Sequence, residues 1–109
     1  ALVNIAPDRF NCELDIYFDP ILLASAVEST CREAIQNYIE NLPFNGEYTN
    51  MALVDQLQKI DGVRIPELRS ATTVAAGESV VTAIDARCVP AAGYFEMGDI
   101  KLNMKVYNG

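Results

Sequence analysis

Histidine is absent from this sequence of 109 residues. Without it, the chain has no Ser–His or Cys–His nucleophile pair, no histidine general base and few ways to bind zinc. Cysteine is scarce: Cys12, Cys31 and Cys88 are an odd count at wide spacing, which fits neither a disulfide framework nor a zinc site. We expect all three to be free core residues, which favours a reducing compartment.

Positive charge is also scarce. The chain has 8 lysines and arginines against 15 aspartates and glutamates, a formal net charge of −7. Because such a chain repels phosphate backbones and anionic membranes, we expect neither nucleic acid nor a membrane as partner. No apolar run approaches the ~18 residues that span a bilayer. The length fits one domain over residues 1–109, and the start at Ala1 rather than Met suggests one domain cut from a longer protein.

Two segments alternate with the period of two residues that is typical of half-buried strands. The first runs from Cys12 to Phe18 and the second from Ile100 to Tyr107. In both, apolar residues share one face and polar residues share the other, as in a sheet with one face in water. The outward positions are Glu13, Asp15, Tyr17, Lys101, Asn103, Lys105 and Tyr107.

A long helix is expected after the first strand. Asp19 suits its N-cap and Pro20 its first turn, where the missing N–H of proline costs nothing. The helix would continue to about Asn41, since apolar residues recur there at spacings of three and four. This apolar stripe consists of Leu23, Val27, Cys31, Ala34, Ile35, Tyr38 and Leu42.

A second helix and further strands follow. Thr49 or Asn50 would cap a helix over residues 51–60, and a strand would begin at Val63, with Pro66 at a sheet edge or bulge. A further strand is expected over residues 80–89, and turns over residues 44–47, 75–78, 90–93 and 98–99. The order β-α-α-β-β-β predicts an α+β fold with two helices packed on one face of a mainly antiparallel sheet.

The carboxylates of Glu13 and Asp15 are the residues that most resemble a metal site. They lie two residues apart on the outward face of one strand, and paired strand carboxylates can hold Mg²⁺ for nucleotidyl transfer. A third carboxylate would have to come from Asp85 or Asp99, and the Gly-Ser turn of such enzymes is missing. We therefore favour a solvated strand face and keep a metal-dependent nucleotidyltransferase-like fragment as an alternative.

Protein contacts are another use of the outward strand positions. Tyr17 and Tyr107 could anchor an interface, because aromatic residues carry much of the binding energy between proteins. Each also fits the alternative of a half-buried sheet residue without a partner. Asp15 and Lys105 flank them and complete the predicted interface. We expect no catalytic, metal-binding or cofactor-binding residue, no cofactor and no small-molecule substrate. The two main functional interpretations are therefore an assembly domain and an unrelated adaptor domain.

One series of motifs points to a family. It consists of a strand, a helix led by Asp19-Pro20, the stretch Tyr38-Ile-Glu-Asn-Leu42, the turn Pro43-Phe44-Asn45-Gly46-Glu47, a second helix and Asp61-Gly62-Val63. Over residues 14–63 this series resembles the C-terminal domain of phage baseplate J-like proteins. The stretch Ala92-Gly93-Tyr94-Phe95 before the last strand is similar to the end of related contractile-tail proteins, whereas residues 66–90 look longer than in the usual domain.

The resemblance implies a wedge component in the baseplate of a contractile phage tail or a related injection machine. The partners would be other baseplate and tail proteins, and no catalytic residue is implied. The protein would occupy the bacterial cytoplasm during assembly and the baseplate of the virion or injection machine afterwards. The exposed strand faces and residues 66–90 would carry the contacts.

Overall fold

The structure, a computed structural model, describes residues 7–75, 77–90 and 92–108. Within them the elements are β1 (Asp8–Phe18), α1 (Ala24–Glu40), β2 (Tyr48–Thr49), α2 (Asn50–Gln58), β3 (Val63–Val74), β4 (Val81–Ala83), β5 (Arg87–Cys88) and β6 (Phe95–Val106). The main sheet has four strands in the order β4-β3-β1-β6, while β2 and β5 form a separate pair. β1 pairs antiparallel with β3 and parallel with β6, and β3 pairs antiparallel with β4.

Both helices pack on the same face of this sheet. The even-numbered side chains of β1, from Phe10 to Phe18, are buried beneath them, because successive side chains of a strand point to opposite faces. The helices contribute Val27, Cys31, Ile35, Ile39, Leu53 and Leu57 to this core. The predicted α+β fold, with two helices on one face of a mainly antiparallel sheet, is confirmed. The parallel pair β1–β6 and the short strand β2 were not predicted.

The start of α1 differs from the prediction. The side chain of Asp19 accepts a hydrogen bond from the Ile21 N–H at 3.1 Å, and its carbonyl accepts one from the Leu22 N–H at 3.0 Å. These bonds hold Asp19 and Pro20 in a turn that precedes the helix, a use of aspartate that competes with N-capping. Leu23 takes the N-cap position and is 71% exposed, so it does not belong to the buried stripe.

The start of α2 agrees with one of the two predicted caps. The Thr49 side chain accepts a hydrogen bond from the Ala52 N–H at 3.1 Å, which satisfies one of the free donors of the first turn. Asn50 is the first residue of the helix and has another role: its side-chain amide donates to the carbonyls of Ile84, at 3.3 Å, and Asp85, at 2.9 Å. These two bonds hold the chain in a bend at residues 84–86, so the strand predicted over residues 80–89 is split into β4 and β5.

The turn predicted at Gly98 and Asp99 is also wrong, because both residues lie inside β6. They form a bulge opposite the single residue Asn11 of β1. The Asn11 side-chain oxygen accepts a hydrogen bond from the Asp99 N–H at 2.8 Å. A β-carbon at position 98 would collide with that oxygen and would lie 2.9 Å from the Phe10 carbonyl oxygen, so the bulge requires glycine.

Other sequence expectations are met. Pro66 lies in the part of β3 that precedes its pairing with β4 over residues 72–74, and a register shift falls close to it. The breaks at 75–78 and 90–93 separate strands, although residues 76 and 91 lie outside the described residues. In the described part of the chain, no helix has the length and apolar character needed to cross a membrane.

The core assignment can be tested with two leucines. Leu53 is completely buried, so Leu53→Ala is expected to lower the free energy of unfolding by about 2–5 kcal/mol. Leu23 is 71% exposed, so Leu23→Ala is expected to change it by less than about 0.5 kcal/mol. Urea denaturation of both variants measures the difference, and equal losses would contradict the packing described above.

Candidate interaction face of the sheet

The face of the main sheet that points away from the helices carries the polar residues of β1, β3 and β6. Pairing places Lys101 beside Glu13, and Asn103 and Glu67 on either side of Asp15. This surface is termed the open face here. It is defined by Glu13, Asp15, Tyr17, Glu67, Arg69, Lys101, Asn103, Lys105 and Tyr107.

Asp15 is the centre of the open face and is only 3% exposed. One of its oxygens, Oδ2, accepts a hydrogen bond from Arg69 Nε at 2.6 Å, and Nη2 of the same guanidinium forms an ion pair with it, also at 2.6 Å. The Lys105 ammonium lies 3.4 Å from the same oxygen. The other oxygen, Oδ1, accepts from the Asn103 side-chain amide at 3.0 Å. Both carboxylate oxygens are thus bound by strong donors, which compensates for removing the charge from water.

A bulge in β3 positions Arg69. The register between β1 and β3 shifts immediately after Glu13, which leaves Arg69 as an extra residue with no partner in β1. Bulges of this kind redirect a side chain. The Arg69 guanidinium reaches both Asp15 and Glu67, the latter through Nη1 at 3.1 Å. The Arg69 guanidinium therefore lies across the sheet and covers the buried carboxylate of Asp15.

Asn103 joins Glu13 and Asp15, two of the carboxylates of β1. Its side-chain nitrogen donates to Glu13 Oε2 and to Asp15 Oδ1, each at 3.0 Å. The hydrogen bonds from Asn103 and Arg69, with smaller help from Lys105, hold the pKa of the Asp15 carboxyl below its usual value. Asp15 is accordingly an anion at neutral pH whose ligands are an amide, a guanidinium and an ammonium.

These donors occupy the positions that a metal ion would need. A Mg²⁺ bound by Glu13 and Asp15 would have to displace Arg69 and Lys105, whose positive charges repel it. Asp99 lies in the β6 bulge, with its N–H bound by the Asn11 side chain. Among the described residues, His, Cys, Asp and Glu side chains form no cluster of three or more that could hold a metal.

The two tyrosines of the open face each have a cation beside the ring. Lys105 Nζ lies 5.8 Å from the ring centre of Tyr17, and Arg64 Cζ lies 5.0 Å from that of Tyr107. Both distances are within the range of cation–π attraction. Both tyrosines are half-buried, so each presents one side of its ring to solvent.

The four residues predicted for an interface are therefore placed as follows. Tyr17, Asp15 and Lys105 are in one contact network, and Tyr107 lies at the end of β6 beside Arg64. The expectation that Asp15 is solvated is wrong, because its neighbours cover it. Sequence reasoning missed the role of Arg69 altogether. The alternation places Asn103 on the outward face but assigns it no role. No local pattern indicates that Arg69 or Asn103 would contact Asp15. Whether the four residues bind a protein stays a prediction.

The cysteines offer no second site of chemistry. All three are free; Cys12 and Cys31 are buried in the core, and Cys88 is partly buried. Burial raises the pKa of the Cys12 thiol to about 12 and that of Cys31 to about 11. Since the thiolate is the reactive form, both are inert at neutral pH. Their predicted role as core residues agrees with this placement.

Comparison with known proteins assigns this chain to no family. The sequence matches no protein-family model, and a search of curated proteins returns no match. The resemblance to baseplate J-like proteins therefore rests on the motifs in the sequence alone.

The network around Asp15 makes a prediction about acid stability. The folded pKa of Asp15 lies below the value of about 3.9 for an unfolded chain, so its stabilising effect is complete above that pH and is lost as the pH falls through the folded pKa. Asp15→Asn is expected to lower the melting temperature by several degrees at pH 7 and by progressively less below about pH 4. Thermal unfolding followed by circular dichroism from pH 7 to pH 2 measures this.

The control for that experiment is Glu96→Gln, which neutralises an exposed carboxylate elsewhere on β6. Its melting curve is expected to follow the wild type at every pH. A difference between Asp15→Asn and wild type that stays constant down to pH 2 would show that the carboxylate charge does not stabilise the fold.

Proposed function

We propose that the chain is a structural assembly domain whose open face binds a neighbouring protein in the baseplate of a contractile tail or a related injection machine. The observation that carries the proposal is the network around Asp15. It holds charged and aromatic side chains in place on the sheet face that points away from both helices. A wedge protein needs such a surface, since it must keep fixed contacts while the machine changes shape.

The open face is suited to binding because its exposed groups are already ordered. Arg69 is 48% exposed and Lys105 is 46% exposed, yet each is held by the buried Asp15. A side chain that is fixed before binding loses less conformational entropy on association than a free one. Tyr17 and Tyr107 add large, rigid contact areas beside these cations. Together they form a preorganised polar surface with aromatic anchors.

The motifs that resemble those of baseplate J-like proteins support a contractile-tail baseplate as the assembly in which the chain acts. They support a wedge component whose partners are other baseplate and tail proteins, present in the bacterial cytoplasm during assembly and in the finished baseplate afterwards. The 66–90 segment includes the Arg69 bulge and the β4 hairpin, so the part that departs from the usual domain also contributes to the open face.

A nucleotidyltransferase-like enzyme is a poorer fit to the geometry. The oxygens of Glu13 and Asp15 are engaged by Asn103, Arg69 and Lys105 rather than directed at an open cavity. An adaptor domain unrelated to tails would use the same open face, so its partner, rather than its surface, distinguishes it from the assembly domain.

The experiment that tests the function is recovery of the tagged full-length protein from its native cells. Partners are identified by mass spectrometry, and the eluate is imaged by negative stain. Tail, spike or wedge proteins with baseplate-like particles are the expected result. Nucleotide-processing partners without particles would overturn the assembly role, and a single soluble partner of another kind would favour the adaptor.

The same experiment tests the open face. Tyr17→Ala is expected to reduce recovery of the main partner by about tenfold, as for an aromatic residue at the centre of an interface. Met51→Ala is the control, since Met51 lies on α2, is 76% exposed and is on the opposite side of the sheet. Equal recovery with both variants, at equal melting temperatures, would remove Tyr17 from the interface.

A further inference from the structure

The backbone of β6 has one edge bound and one edge free. The Tyr107 N–H donates to the Phe18 carbonyl at 2.9 Å, so residue 107 points its peptide groups at β1. Because peptide groups alternate along a strand, residues 101, 103 and 105 also face β1, and the residues between them face away. In the part of the chain that the structure describes, the outward N–H and C=O groups of Leu102, Met104 and Val106 have no hydrogen-bond partner.

One end of this free edge is closed. The Arg32 side chain on α1 donates through Nη1 to the Ile100 carbonyl at 2.9 Å, which is the carbonyl that would begin the outward row. Glu28 lies 3.5 Å from the Arg32 guanidinium and helps to hold it there. The free edge therefore extends from residue 102 to the end of β6 and is long enough for three outward-facing residues.

The side chains along this edge are apolar on the helix face and include two lysines on the open face. On the helix face, Leu102 and Met104 are only partly buried and Val106 is 48% exposed, so the apolar layer is incomplete at the rim. On the open face, Lys101 and Lys105 flank the edge. Lys101 is exposed and has no ion pair within the described residues, which leaves a free cation beside the free backbone.

We propose that the free edge of β6 accepts an extended strand from a partner protein, a strand in which acidic and apolar residues alternate. Main-chain hydrogen bonds to Leu102, Met104 and Val106 would supply affinity, as in other cases of strand addition to a sheet edge. The acidic residues would lie opposite Lys101 and Lys105, and the apolar residues would extend the core layer over Val106. This proposal rests on the proposed assembly function.

Lysines at an edge can also serve only to keep other strands away. The two roles differ in their consequences, because a purely protective edge would bind nothing and would tolerate loss of its outward N–H groups. A docking edge would lose binding when an outward N–H is removed, even though the fold itself does not use that group. Proline substitution at an outward position makes this distinction, since it removes the N–H and places a ring in its position.

The test uses the full-length protein and the baseplate subunits that co-purify with it as the probe. Met104→Pro is compared with Met104→Ala, which loses the same side chain but keeps the N–H. Val106→Pro and Val106→Ala form a second pair at a more exposed site. Each proline variant is expected to recover about tenfold less partner than its alanine counterpart, at matched melting temperatures. Lys101→Glu is expected to weaken recovery, whereas Lys59→Glu on the helix side is not.

Amide hydrogen exchange gives an independent readout. In the free protein the amides of residues 102, 104 and 106 are expected to exchange faster than those of 103 and 105, and in the assembly they are expected to become protected. Equal recovery by the proline and alanine variants, or unchanged exchange in the assembly, would overturn the docking edge and leave the assembly function intact. Recovery of no baseplate subunit by the wild type would overturn both.

Discussion

Every layer of this fold depends on β1, because it pairs along nearly its whole length with a strand on either side and contributes side chains to both faces of the sheet. Its peptide groups bond to β3 on one side and to β6 on the other. Its even-numbered side chains form the floor of the core, and its odd-numbered side chains form the centre of the open face. A shift of one residue in register would exchange these two sets, so the alternation along β1 fixes the position of the helices and of the polar network together.

The two faces of the sheet are stabilised by different physics. On the helix side, burial of apolar surface holds α1 and α2 against β1. On the open side, the carboxylate of Asp15 has been removed from water. The free-energy cost of burying this charge is offset only while Arg69, Asn103 and Lys105 stay in contact with it. Breaking such a group of contacts leaves an uncompensated charge, whereas an isolated surface ion pair contributes little. The exposed side chains of Arg69 and Lys105 are consequently held at the buried Asp15.

The sequence predicts those parts of the structure that local patterns determine. The alternation in β1 and β6, the apolar spacing in both helices and the Thr49 cap are local, and they lead to the correct fold class. The remaining features depend on contacts between distant residues. Gly98 and Asp99 form a bulge because of Asn11, and residues 80–89 bend because of Asn50. Asp15 is buried because a register shift places Arg69 over it, which no pattern within β1 could indicate.

The parallel pairing of β1 and β6 has a mechanical consequence. The first and last long strands of the domain lie side by side and run in the same direction, so the chain enters at one end of the sheet and leaves at the other. A tension applied through the flanking chain would load the hydrogen bonds between them in shear. All of these bonds would then have to break together rather than open one after another. The parallel pair of β1 and β6 would therefore resist tension along the length of the sheet.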